Sequence, residues 1–132
     1  TGSIDPGVLV ALMRDEHMDL EQLEDLLYRK SGLLGLSGIS PDMRVLLASD
    51  RTEASESVDY YCYSAARHAA SLVPALGGVD AMVFTGGVGE NAGAVRARIM
   101  GHLKWLGIGP ENVYVVPANE ELTIARGVRE LV

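Results

Sequence analysis

The stretch VFTGGVGEN, Val83 to Asn91, puts three glycines into four positions and follows them at once with a carboxylate and an amide. The apolar run DAMVFT leads in and reads as a short buried strand. GAVRARIMGHLKWLG leads out and reads as a helix, with Val95, Ile99, Leu103 and Leu106 on its buried face and Gly107 closing it. The glycines therefore sit at the carboxyl end of a strand, where open α/β sheets take ligands. Without Cβ atoms a nucleotide can lie directly on the backbone, and glycine also tolerates positive φ. Amides at the start of a helix and the positive end of its dipole suit phosphate or ribose oxygens. Glu90 or Asn91 can then bond a hydroxyl. The same residues suit a tight turn in which Asn91 only caps the next helix. The spacing matches neither a Walker A loop nor a dinucleotide fingerprint.

Downstream, NVYVVPA reads as a second strand and NEELTIARGVREL as a final helix capped by Asn119. Strand, helix, strand, helix implies parallel strands joined by a right-handed crossover. Two strands do not make a stable sheet, so their pairing partners are expected outside this chain or from another one.

Upstream the chain reads as helical. Asp5 and Pro6 form an N-cap and first helical residue for GVLVALMRD. Asp19 with Gln22 forms a capping box for LEQLEDLLYRK, whose Leu20, Leu23, Leu26 and Leu27 share one face. Gly32, Gly35 and Gly38 make SGLLGLSGIS loop-like, and Ser40-Pro41-Asp42 opens a further helix. A long helix is predicted from Thr52 to about Leu76, with Val58, Tyr61, Cys62, Ala65, Ala66, Ala69 and Leu72 inside it. Its small residues predict close packing, and Pro74 and Gly77-Gly78 end it.

Composition bounds the function. The 132 residues are 48% hydrophobic and 22% charged, a globular rather than a disordered profile. A net charge of −7 argues against nucleic acid or an anionic membrane as partner. Cys62 is the single cysteine, which excludes an internal disulfide and points to a reducing, cytoplasmic setting. No apolar run approaches the ~20 residues that span a bilayer. The chain begins TGSIDPG without an initiator Met, as though cut from something longer. His17, His68 and His102 lack metal-ligand spacing. Arg96 and Arg98 follow the glycines, and a solvated helix face suits them better than phosphate contact.

Taken together, FTGGVGEN, LGGVDAMV before it, VVPANEELTIAR after it, and TGSIDPG and KSGLLGLSGISPDMR upstream resemble the C-terminal part of the acetate kinase (acetokinase) family, in the family's order along the chain. The resemblance implies the α/β, ribonuclease H-like fold of the acetate and sugar kinase, Hsp70 and actin superfamily, with ATP between two duplicated domains. On it, residues 1–132 form an incomplete C-terminal nucleotide-binding domain. Residues 1–77 are a mainly helical insert and long helix, and 78–132 the strand-helix-strand-helix part.

The resemblance also implies roles. Gly87, Val88, Gly89, Glu90 and Asn91 match the segment along the adenosine and its phosphates. Asp42, Met43 and Arg44 match a second adenosine-contacting segment, Asp42 toward ribose hydroxyls and Arg44 against the adenine. For Asp42 the competing role is a carboxylate favouring the helix dipole, and for Arg44 a solvated side chain. Glu120 in NEEL matches the family's magnesium-associated glutamate, with Glu121 beside it as an ordinary first-turn acid. The implied activity is reversible phosphorylation of acetate by ATP, with Mg²⁺ or Mn²⁺. Propionate or butyrate is an alternative acceptor, and an isolated nucleotide-binding or dimerising fragment without catalysis an alternative role. The family's two arginines, catalytic His, Asp and acetate pocket fall outside these residues, one arginine in a GTR just before Thr1. No catalytic residue is therefore assigned, and the chain alone is expected to be inactive. Ser3 stands where the family usually carries an acid, SGDIDPG. YYCYSAARHAA can contribute to a homodimer interface or to ordinary internal packing.

Overall fold

Three helices of the first unit begin where an aspartate takes one of the first free amides. In the computed structural model, which describes residues 2–119, 121–122 and 128–129, Asp5 accepts the Gly7 amide at 2.6 Å and Pro6 opens α1, Pro6–Asp15. Asp19 and Gln22 form the expected reciprocal box at the start of α2, Leu20–Asp25. Asp19 Oδ1 accepts the Gln22 amide at 2.8 Å, and Gln22 Oε1 accepts the Asp19 amide at 3.0 Å. The chain separates into two compact units, Thr1–Tyr61 and Cys62–Val132.

Within the first unit two expectations change. After α2 the chain widens into a π turn, Leu26–Lys30. One extra residue per turn rotates the residues after it out of register. Leu23 is buried and Leu26 and Leu27 are half-buried, but Leu20, at the helix start, is 73% exposed. The predicted four-leucine face is thus not a single buried stripe. SGLLGLSGIS, expected as loop, contains the helix α3, Gly32–Ser37. Gly32 (φ 65°) and Gly38 (φ 63°) stand at its two ends in left-handed geometry, so the glycines punctuate a helix rather than dissolve it. Ser37 is buried with its hydroxyl satisfied, donating to Leu33 O at 2.7 Å and accepting from the Ile39 amide at 3.1 Å. Asp42 caps α4, Met43–Leu47, which buries Met43 and Leu46. The long helix α5 runs Thr52–Leu76, as predicted, and Ala54, Ser57 and Val58 are buried in its first two turns.

In the second unit α5 continues with Cys62 and Ala66 buried one turn apart. Pro74 lies in its last turn, and Gly77 (φ 73°) and Gly78 (φ 150°) carry the chain out. β1, Met82–Phe84, leads into α6, Gly86–Asn91, and α7, Gly93–His102. β2, Val113–Val115, pairs parallel with β1, Met82 opposite Val113, Val83 opposite Tyr114 and Phe84 opposite Val115. The core here includes Cys62, Ala66, Val95, Ile99 and Leu103. The Cys62 thiol lies 3.8 Å from Val95 O, and the Tyr63 and His102 rings meet edge to face at 5.7 Å. Leu106, expected on that buried face, is half-buried in a 3₁₀ turn closed by Gly107 (φ 72°). Among the described residues the sheet has two strands, and Val83, Tyr114 and Val115 stay exposed. The final helix predicted over NEELTIARGVREL falls largely outside the described residues. At its start Asn119 Oδ1 accepts the Leu122 amide at 2.9 Å, the expected cap.

Candidate functional site

The glycine stretch is not an open loop. Gly86 (φ 74°) turns the chain off β1 and starts α6, which contains the whole of Gly87 to Asn91. A Cβ built on Gly86 or Gly87 would meet no heavy atom within 4 Å among the described residues. One on Gly89 would rest against Phe84 at 3.5 Å, an ordinary contact. The bare backbone expected from the sequence is therefore open at Gly86 and Gly87, and at Gly89 it faces β1.

Three side chains hold this helix. Glu90 Oε1 accepts the Gly86 amide at 2.8 Å and the Ala118 amide at 2.9 Å. Asn91 Nδ2 donates to Gly87 O at 2.9 Å. Arg96 Nη1 donates to Gly89 O at 2.8 Å and Glu90 O at 2.9 Å. The last pair corrects the reading of Arg96 as a solvated side chain: it is half-buried and binds the carbonyls that α6 leaves unpaired at its end. A basic residue seven positions after a helical glycine was the available signal, but its target depends on how α6 and α7 meet.

In the first unit, Asp42 and Arg44 form their own pair. Asp42 Oδ1 accepts the Arg44 amide at 2.8 Å as the cap of α4, and Arg44 Nη2 reaches Asp42 Oδ2 at 2.6 Å. The hydrogen-bonded Arg44 guanidinium, with the Arg44 amide behind it, lowers the Asp42 carboxyl to about 2. Arg44 is otherwise exposed, and its own pKa is raised by the same contact. Met43, between them in sequence, is buried. The geometry thus gives Asp42 the capping role as well as any other. Glu120 lies outside the described residues.

An open groove of about 550 Å³ runs between α7 and β2, lined by Arg96, Met100, Lys104, Ile108, Val113 and Val115 among others. None of Gly87 to Asn91 lines it. No helix among the described residues is long and apolar enough to cross a membrane.

Comparison with known proteins fits this architecture. The chain is 43% identical to the acetate kinase of Rhodopseudomonas palustris over 98% of its own length and 38% of that protein's. To the acetate kinase of Rickettsia typhi it is 38% identical, covering 97% of the chain and 38% of the relative. It superposes on Porphyromonas gingivalis acetate kinase with a TM-score of 0.83 at 33% identity, covering 96% of the chain and 38% of that structure. A propionate kinase from Francisella tularensis gives 0.79 at 30% identity, covering 95% and 38%. These neighbours carry the actin/Hsp70-like ATPase fold, and the chain spans about two-fifths of the length of the relatives it matches. Residues 1–123 match the family described as the acetokinase family, and the chain belongs to it.

Proposed function

We propose that the intact protein transfers the γ-phosphoryl group of ATP to acetate, reversibly, and that this chain supplies the adenosine and Mg-ATP side as part of a C-terminal nucleotide-binding domain. The carrying observation is a glycine helix whose first two residues stand open at the carboxyl end of a parallel strand, in a chain of the acetokinase family. A carboxylate oxygen of acetate attacks the γ-phosphorus as the bond to the ADP oxygen breaks, leaving acetyl phosphate and ADP. Such transfer needs positioning and charge neutralisation more than covalent help. In this reading Gly87 to Asn91 carry the nucleotide on main chain, and Asp42, Met43 and Arg44 contact the adenosine. Residues 1–77 serve as helical insert and long helix, and 78–132 as the sheet part. The parent is a cytoplasmic homodimer. Tyr60, Tyr63, Leu72 and Leu76, more than half exposed along α5, support an α5 contribution to the dimer.

The metal assignment rests on the resemblance of NEEL alone. Among the described residues no three His, Cys, Asp or Glu side chains converge on a cation position, and Glu120 lies outside them.

The test is hydroxylamine trapping of acyl phosphate formed by the intact protein from ATP and acetate, with protection by ADP against proteolysis. Absence of acetate-dependent turnover rejects the proposal. Propionate is the second acceptor to try, because a propionate kinase superposes nearly as well and one methylene separates the two by only about 1–3 kcal/mol. The 132-residue chain alone is expected to form no acyl phosphate.

A further inference from the structure

β1 and β2 part company at the glycines, and a side chain takes over where the backbone ladder stops. Val116 N–H still finds Phe84 O at 2.9 Å. Beyond Phe84 the first chain has turned away at Gly86, so no β1 carbonyl remains to meet the second chain as it runs on. The Ala118 amide, two residues further and in phase with Val116, is received by Glu90 Oε1. The same oxygen receives the amide of Gly86, the first residue of α6. That amide is one of the orphan donors of a helix start, and Thr85, the N-cap, makes no side-chain bond to it. Arg96 fastens the other end of α6 by its carbonyls.

We infer that Glu90 is a positioning residue: its carboxylate is the last rung between the two strands, tying the glycine helix to the segment at Ala118 and thereby holding the open Gly86-Gly87 backbone in register with the residues that lead into Glu120. Its contribution is reach and acceptor geometry, not charge delivered to a ligand. The brace stands on geometry alone, whereas its consequence for nucleotide binding rests on the proposed function.

Three variants of the intact protein separate these ideas. Glu90→Gln keeps an acceptor oxygen at the same reach without the charge. Glu90→Asp keeps the charge one methylene short, and Glu90→Ala removes both. Hydrogen exchange is followed at the amides of Gly86 and Ala118, and ADP affinity by calorimetry. E90A and E90D are expected to speed exchange at both amides together by about tenfold, the loss of a hydrogen bond or more, and to weaken ADP about tenfold as well. E90Q restores protection and affinity to within about threefold of the parent. Unchanged exchange at either amide in E90A and E90D overturns the brace. If E90Q keeps both amides protected yet binds ADP as poorly as E90A, the carboxylate acts on the ligand directly and the positioning role is wrong. Should E90A fail to fold, the E90Q and E90D pair decides alone. A parent that binds no ADP removes the proposed function and leaves the exchange result standing.

Discussion

Replacing Gly87 by alanine is the sharpest test of why bare backbone lies at the end of β1. Gly87 is the second residue of α6, outside the positive-φ region, and an added Cβ meets nothing within 4 Å among the described residues. No steric cost is therefore expected in the free protein. Alanine instead narrows the unfolded ensemble and favours the helix, so G87A should be more stable than the parent by about 0.4–1 kcal/mol. If a nucleotide rests on that surface, the same methyl group stands where the ligand must lie. Overpacking of that size costs about 1–3 kcal/mol, which corresponds to ADP binding about 5- to 150-fold weaker. Urea unfolding and calorimetric ADP titration of the intact protein measure the two effects on one sample. Opposite signs, a tighter fold and a weaker complex, are the expected result. A stabilised variant with unchanged ADP affinity would show that the glycine is not kept bare for a ligand. A destabilised one would refute the helical geometry itself.

Gly86→Ala should behave in the opposite way: its φ of 74° lies in the left-handed region, so the cost is about 1–2 kcal/mol of stability despite the open space around it, read by urea unfolding. Leu103→Ala, at a side chain 1% exposed, should lose about 2–5 kcal/mol. Leu20→Ala, at a side chain 73% exposed, should change stability by less than about 0.5 kcal/mol. Asp42 gives a pH signature. Its folded value of about 2 lies below the unfolded value of about 3.9, so the Arg44 pair stabilises above pH 4 and is lost as pH falls from there toward 2. Asp42→Asn keeps a capping group but not the ion pair. Its thermal midpoint should therefore lie slightly below the parent's at neutral pH and low salt and converge with it by about pH 2. A constant gap would argue against the pair.

What could be read from the sequence was what depends on near neighbours. Asp5 with Pro6, Asp19 with Gln22, and Asp42 each satisfy amides two or three residues away, so residue type alone marked those three helix starts. α5 was legible at both ends, because no glycine or proline interrupts it before Pro74 in its last turn and Gly77-Gly78 come directly after it. SGLLGLSGIS was misjudged because glycine spacing alone does not distinguish a loop from a short helix whose ends require positive φ. The π turn at Leu26 was invisible, since it is a register change with no residue signature of its own. Val83 and Tyr114 read correctly as strand, yet their exposure reflects how little of a sheet these residues contain. Arg96 was misread for a third reason. Its partners are two carbonyls on a different helix, and no spacing rule reports them.

Those last contacts bear on why a polar pair comes after the glycines at all. A helix turn built from Gly86, Gly87, Val88 and Gly89 has no side-chain donor or acceptor with which to secure its own ends. Glycine also loses more conformational freedom than any other residue when it is ordered. The absence of side chains that would leave room for a nucleotide thus also removes what would hold the surface still. Glu90 and Arg96 supply from just downstream what the glycines lack, one an acceptor for the first amide and the other a donor for the last carbonyls. Because Glu90 spends the same oxygen on Ala118, the order it imposes extends beyond its own helix to the second strand's exit. An apolar residue at position 90 would leave two amides without that acceptor, so this glycine-bare surface requires an acceptor oxygen of this reach close behind it.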